Sequence, residues 1–206
     1  MKPLSTRSAL VRFALVAAAA GAAASLWAQN RPEQGLLLDA LTWQQEVVSG
    51  HSGPWPSTGW YRIAALEQDI DVRAVKPTER QAIPADALYF RLPGTTLKTG
   101  LRPGLMHLEM VRPRDDDAAR PGRYTVRVEE VDASVRYQIG YAGHTYTYVV
   151  GPAGASTSVR AVADLDGDSR PDFLVDVEGL ATYLLLSTRA QPGLNLPTAE
   201  MPADGC

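Results

Sequence analysis

Apolar and polar residues alternate along much of the chain with the period of two that a half-buried β-strand produces. The alternation is clearest in Val135–Tyr141, and the turn at Ala142-Gly143 then leads into His144–Val150, which predicts a β-hairpin. Other segments predicted as strands are Gly59–Leu66, Ile70–Val75, Ala87–Leu92, Leu105–Val111, Tyr124–Val131, Ser158–Ala163, Phe173–Val177 and Ala181–Ser187.

One segment departs from this pattern. Leu36–Val48 has apolar residues at near-helical spacing and contains neither Pro nor Gly, which predicts a helix. Many short strands with one N-terminal helix predict a mainly β domain, either a sandwich or a strongly bent antiparallel sheet. We expect this single domain to cover residues 36–190, after a flexible lead-in at 29–35 and before a C-terminal tail at 191–206 that contains three Pro residues.

The first 28 residues have the composition of a signal peptide. Lys2, Arg7 and Arg12 lead into the apolar, alanine-rich run Phe13–Ala24, and small residues follow. An uncleaved membrane anchor is the alternative, although the run is shorter than the roughly 20 residues that a membrane span needs. We therefore expect cleavage after Ala28, with Ala24 as the alternative site, no stable membrane span afterwards, and a periplasmic or extracellular location.

Charge and cysteine content narrow the possible partners. The net charge is −3, and it becomes −6 without the predicted leader, which carries three basic residues and no acidic ones. A chain with this charge offers no electrostatic basis for binding nucleic acid. The one cysteine, Cys206, cannot close a disulfide within the chain. It is either a loose thiol or the link of a disulfide-bonded dimer.

The segment Asp164–Asp172, with the sequence DLDGDSRPD, has a spacing that points to a metal ion. Alternate carboxylates on one side of a turn repel each other unless a cation lies among them. Calcium takes about six to eight oxygen ligands, and calcium loops supply them from the first, third, fifth, seventh (through its carbonyl) and ninth residues. Those positions hold Asp164, Asp166, Asp168, Arg170 and Asp172. A solvated acidic turn without metal is the alternative.

This loop, followed by the apolar segment Phe173–Val177, resembles the calcium loops of FG-GAP and VCBS-type repeats, which run from strand to strand in integrin-like propellers. The resemblance implies Ca²⁺ on the four aspartates and on the carbonyl of Arg170. Ser169 stands where these loops usually have a second Gly, so the backbone there lacks glycine's freedom at positive φ. The motif occurs once, whereas a propeller needs several blades, so we do not expect a full propeller.

Other candidate residues give weaker indications. Trp43, Trp55 and Trp60 lie close together in the sequence. They are interpreted either as core residues or as a stacking platform for sugars. His51, His107 and His144 lack the spacing of metal ligands, and the acidic run at 115–117 is typical of a solvated loop.

These features favour a non-enzymatic exported domain whose fold is locked by calcium at 164–172 and which has a structural role or binds an unknown protein or glycan partner. The alternative hypothesis is a small secreted hydrolase directed at glycans, with calcium in a structural role. No catalytic residue is assigned for it.

Overall fold

A computed structural model of the protein describes residues 33–50, 55–78, 84–105 and 123–203. The described residues form thirteen strands in two sheets, so the predicted mainly β fold is confirmed. The larger sheet contains β1 (Gly35–Asp39), β2 (Trp60–Ala65), β3 (Asp69–Val75), β4 (Leu88–Arg91), β5 (Gly100–Pro103), β9 (Thr157–Ala163), β10 (Asp172–Val177), β11 (Ala181–Leu185) and β13 (Ala199–Pro202). The smaller sheet contains β6 (Thr125–Val131), β7 (Ser134–Tyr141), β8 (His144–Pro152) and β12 (Gly193–Asn195).

The larger sheet curls until its two ends meet. Its strand order is β5-β3-β2-β4-β1-β13-β11-β10-β9, so β5 and β9 are the outermost strands. The Lys98 amide donates to the Leu165 carbonyl at 2.8 Å, and the Leu105 amide donates to the Val162 carbonyl at 2.7 Å. These bonds join the chain on either side of β5 to β9 and to the loop that follows β9. The sheet is therefore a nearly closed barrel rather than a propeller.

Apolar side chains fill this barrel and also cover part of its outside. Leu37, Phe90 and Leu184 belong to one buried cluster to which strands around the whole barrel contribute, so this cluster is the barrel interior. On β10, Leu174 joins the interior, whereas Phe173 packs in a second cluster with the tyrosines of the smaller sheet. Because both faces of β10 are buried, the strand is apolar at consecutive positions.

The smaller sheet thus lies against the β9-β10-β11 side of the barrel. Tyr137 and Tyr148 pair across β7 and β8 and are 1% and 3% exposed, beside Phe173. The arrangement combines a strongly bent sheet with a second packed sheet, and it carries the loop Asp164–Asp172 at the end of β9.

The predicted helix begins later than Leu36. Gly35–Asp39 forms β1 between β4 and β13 because Leu37 is buried in the barrel interior. The helical part consists of α1 (Ala40–Thr42) and a π-helical segment, Trp43–Val48. The Asp39 carboxylate caps α1 by accepting a 2.6 Å bond from the Thr42 amide.

The segment predicted as a tail, 191–206, forms two strands within its described part. β13 pairs in parallel with β1 and antiparallel with β11, and β12 pairs in parallel with β8. Both strands are short, so they show little periodicity. Several predictions lie outside the described residues: the signal peptide, residues 29–32 of the lead-in, residues 106–111 of the strand Leu105–Val111, His51, His107, the acidic run at 115–117 and Cys206.

Candidate metal centre

The acidic loop connects β9 to β10 as a tight turn. Asp172 is paired with Ala163, the last residue of β9, in the antiparallel ladder, so the two ends of the loop lie close together. Gly167 has φ of +85°, and a Cβ there would lie 2.8 Å from Cδ of Lys98. Ser169 has φ of +67°, a left-handed conformation that favours glycine. This agrees with its place in the motif, where FG-GAP and VCBS-type loops usually have a second Gly. The turn therefore keeps the backbone conformation of such a loop, although that conformation is less favourable for Ser169 than for glycine.

Three of the predicted ligands come together. Asp164, Asp166 and Asp172 each offer one carboxylate oxygen, and these oxygens lie within 4.8 Å of one another, a spacing that could hold a metal ion. Asp168 lies outside this set. Its carboxylate accepts bonds from the Ser187 hydroxyl at 3.0 Å and from the Arg170 amide at 2.8 Å. The carbonyl of Arg170 stays a predicted ligand.

Asp172 is the deepest of the three. It is 0% exposed, and its two oxygens accept 2.7 Å bonds from the amides of Leu165 and Ser187. Burial raises the pKa of this carboxyl well above its ordinary value, and the neighbouring Asp166 raises it further, against the opposing effect of the two backbone bonds. A charged carboxylate at this position is costly without a nearby cation.

Asp166 is held by Thr188, which lies in the turn that follows β11. Its carboxylate accepts a 2.6 Å bond from the Thr188 hydroxyl and a 3.3 Å bond from the Asp168 amide. Burial raises the pKa of Asp166, and the charges of Asp168 and Asp164 add to the increase, while the hydrogen bonds oppose it. The loop therefore disfavours full ionisation of its own acids.

Of Asp164, Asp166 and Asp172, Asp164 is the one with a basic partner among the described ion pairs. Outside this set, the Arg170 guanidinium lies 3.8 Å from the Asp168 carboxylate. The Arg102 guanidinium on β5 donates to the Asp164 carbonyl at 2.7 Å and to its carboxylate at 3.0 Å. The Gly167 amide donates to the other carboxylate oxygen at 2.6 Å. Arg102 thereby fixes Asp164 in place and neutralises one of three negative charges.

The residues that orient the acids were not predicted from the sequence. Ser187 and Thr188 lie in a 3₁₀ turn, Ser187–Arg189, that follows β11, and Arg102 lies 62 residues before Asp164. No spacing rule connects such distant positions. The polar pair Ser187-Thr188, which ends the apolar run of Leu184, Leu185 and Leu186, is the only local signal, and it is a weak one.

The tryptophan cluster is mainly core. Trp43 and Trp60 are 3% and 1% exposed, and the Trp43 ring stacks on Tyr89 with centroids 4.4 Å apart. Trp55 is half-buried and contacts Trp60 edge to face. These rings anchor the helical segment to the outside of the barrel, as the core interpretation predicted. His144, on the β7–β8 hairpin, is exposed.

Comparison with protein-family models, with curated proteins and with solved structures found no match. The similarity to FG-GAP and VCBS-type loops therefore rests on the residues of the loop alone. Among the helices in the described part of the chain, none combines the length and apolar character needed to cross a membrane.

Proposed function

We propose that this protein is an exported, non-enzymatic β domain in which one calcium ion locks the turn between β9 and β10. The observation that carries the proposal is the convergence of the Asp164, Asp166 and Asp172 carboxylates within 4.8 Å, one of them completely buried. Three acids this close, with one arginine beside them, leave an uncompensated negative charge that a divalent cation would neutralise.

The chemistry of the donors supports a hard cation. The candidate ligands are carboxylate oxygens, together with the predicted carbonyl of Arg170, whereas zinc and copper sites use histidine or cysteine. The loop spacing favours calcium over magnesium, because calcium accepts more oxygens in flexible geometry and magnesium demands a near-ideal octahedron. Calcium would also draw in Asp168, whose carboxylate is held by Ser187 at 3.0 Å, at the rim of the site.

The expected effect of the ion is mechanical. The loop touches three parts of the fold: β5 through Arg102, the turn after β11 through Thr188, and the segment leading into β5 through the Lys98–Leu165 bond. Calcium on the acids would hold these parts together at the seam where the barrel closes. In its absence, repulsion among the carboxylates would loosen the same seam.

We also infer a role for the protein beyond metal binding. A domain stiffened by a metal at its seam suits a structural role, or the binding of a protein or glycan partner, outside the cytoplasm, where calcium reaches the roughly 10⁻⁴–10⁻³ M range of extracellular modules. The hydrolase alternative placed Trp55 and Trp60 along a glycan site. Trp60 is buried and Trp55 is half-buried against it, so these rings give that alternative no support.

Thermal unfolding of the purified protein in calcium, in magnesium and in EDTA tests the proposal. We expect the melting temperature to rise in calcium, to rise less in magnesium at the same concentration, and to be lowest in EDTA. Equal melting temperatures in calcium and EDTA would contradict a structural calcium ion. A larger effect of magnesium would contradict the choice of metal.

A further inference from the structure

The smaller sheet ends in a long edge strand that no other described strand pairs with on its outer side. β6 contributes seven residues, Thr125–Val131, and its ladder with β7 runs through seven consecutive pairs without a register shift. It contains no Pro, Gly or Lys. Natural edge strands are commonly protected by Pro, by bulges or by charged side chains, because a long, regular edge offers free backbone amides and carbonyls to another chain. The protection that β6 has is its charges, Arg127, Glu129 and Glu130, which restrict the partners that can pair with it.

The other sheet edges within the described residues are better protected. β12 has three residues and β5 has four. β9 is longer, but its ladder with β10 contains an irregularity, and the Leu105 amide already bonds to its Val162 carbonyl. β6 therefore stands out as the edge most suited to pairing.

The side chains of β6 also match a second copy of the same strand. Antiparallel pairing centred on Val128 places Arg127 opposite Glu129 of the partner subunit, and the twofold symmetry forms this pair twice. Within one chain, the Arg127 guanidinium lies 3.5 Å from the Glu129 carboxylate. The two side chains are 68% and 32% exposed, so each can also reach its opposite in the new ladder. At the centre, the two Val128 side chains, each 51% exposed in the single chain, would lie directly against each other.

The same charges disfavour other arrangements. Shifting the antiparallel register by two residues puts Arg127 opposite the partner's Arg127, or Glu129 opposite the partner's Glu129. Parallel in-register pairing puts every charge opposite its own copy. Like charges directly opposite are destabilising in a sheet. The pattern thus selects a closed pair over an open-ended stack of strands.

We propose that β6 mediates association of two copies of this chain, through antiparallel pairing of the two edge strands about Val128. The contact joins the smaller sheets of the two subunits into one continuous eight-stranded sheet. Because a single pair of strands buries little surface, the dimer is weak and depends on protein concentration. It does not depend on the calcium loop, so EDTA leaves it intact.

Sedimentation equilibrium in reducing buffer tests the proposal, because a reductant removes any contribution from a Cys206 disulfide. We expect a reversible monomer–dimer equilibrium. Arg127→Glu or Glu129→Arg alone each creates two like-charge pairs across the interface, besides one within each chain, and should raise the dimer dissociation constant about tenfold. The double variant Arg127→Glu/Glu129→Arg restores both pairs and should return the constant to within about threefold of the wild-type value.

The double variant also loses the 2.8 Å bond from Gln138 to Glu129 and yet should dimerise, so loss of that bond would not explain a weaker dimer in Glu129→Arg. Val149→Glu is the matched control, since Val149 is 41% exposed on β8 of the same sheet, away from the β6 edge, and should leave dimerisation unchanged. A protein that stays monomeric at every concentration would overturn the proposal, as would a dimer that is indifferent to the single charge reversals.

Discussion

Replacing Asp166 by alanine separates a metal-binding role of the loop from a purely hydrogen-bonded one. The substitution removes a carboxylate that lies within 4.8 Å of two others and loses the 2.6 Å bond from Thr188. Repulsion between two charges at this distance is about 3 kcal/mol per pair in a medium of intermediate dielectric constant, and solvent screening reduces it to about 1 kcal/mol at a partly exposed site. Loss of the hydrogen bond costs about 1 kcal/mol.

These two effects offset each other when no metal is present. In EDTA, Asp166→Ala should therefore unfold within about 1 kcal/mol of the wild type. In calcium at about one hundred times the dissociation constant, the wild type gains about 2.7 kcal/mol that the variant does not. For a domain of this size, that difference corresponds to roughly 5–10 °C in melting temperature.

Differential scanning calorimetry in calcium and in EDTA measures both values. Glu67→Gln is a suitable control because it also removes one negative charge, at an exposed turn between β2 and β3, and it should respond to calcium as the wild type does. If Asp166→Ala is destabilised equally in calcium and in EDTA, the carboxylate acts only through its hydrogen bonds, and the reasoning from metal binding fails.

Three further predictions concern Asp172, Arg102 and Trp60. The raised pKa of Asp172 means that the metal-free native state binds more protons than the unfolded chain at pH values between the ordinary value of 3.8 and the raised one. Stability in EDTA should therefore fall as pH rises through that window, and the gap between the melting temperatures in calcium and EDTA should widen; a constant gap would argue against ionisation of the site on metal binding. Arg102→Met should lower the free energy of unfolding by about 1–3 kcal/mol in EDTA and by less in calcium, because the ion takes over the charge of Asp164; chemical denaturation would show whether the loss is instead the same in both. Trp60→Ala should cost about 3–5 kcal/mol in either condition, since Trp60 is 1% exposed, and a mild effect would return the tryptophans to the surface interpretation.

The periodic part of the fold could be predicted from the sequence, and the parts that depend on distant contacts could not. Strands such as Ser134–Tyr141 and His144–Pro152 alternate strongly because one face is buried and the other is wet. Leu36–Asp39 was predicted as helix since its leucines also suit helical spacing. Its pairing with β4 and β13, which the sequence does not display, makes this segment a strand.

The candidate metal site likewise has one part that local sequence predicts and another that depends on distant contacts. The acids of the loop were found by their spacing, which is local, and three of them converge because β9 and β10 pair directly beside the turn. Arg102 reaches the loop because the barrel closes between β5 and β9. Thr188 reaches it because the end of β11 pairs with the start of β10, directly after the loop. Barrel closure depends on strand order, and no local pattern encodes that order.

Isothermal titration of the metal-free protein with calcium tests the central claim most directly. We expect one ion per chain, with a dissociation constant of about 10⁻⁴–10⁻³ M, and loss of the binding heat in Asp166→Ala but not in Glu67→Gln. Absence of binding to the wild type, or binding that persists unchanged in Asp166→Ala, would contradict a calcium ion held by the aspartates between β9 and β10.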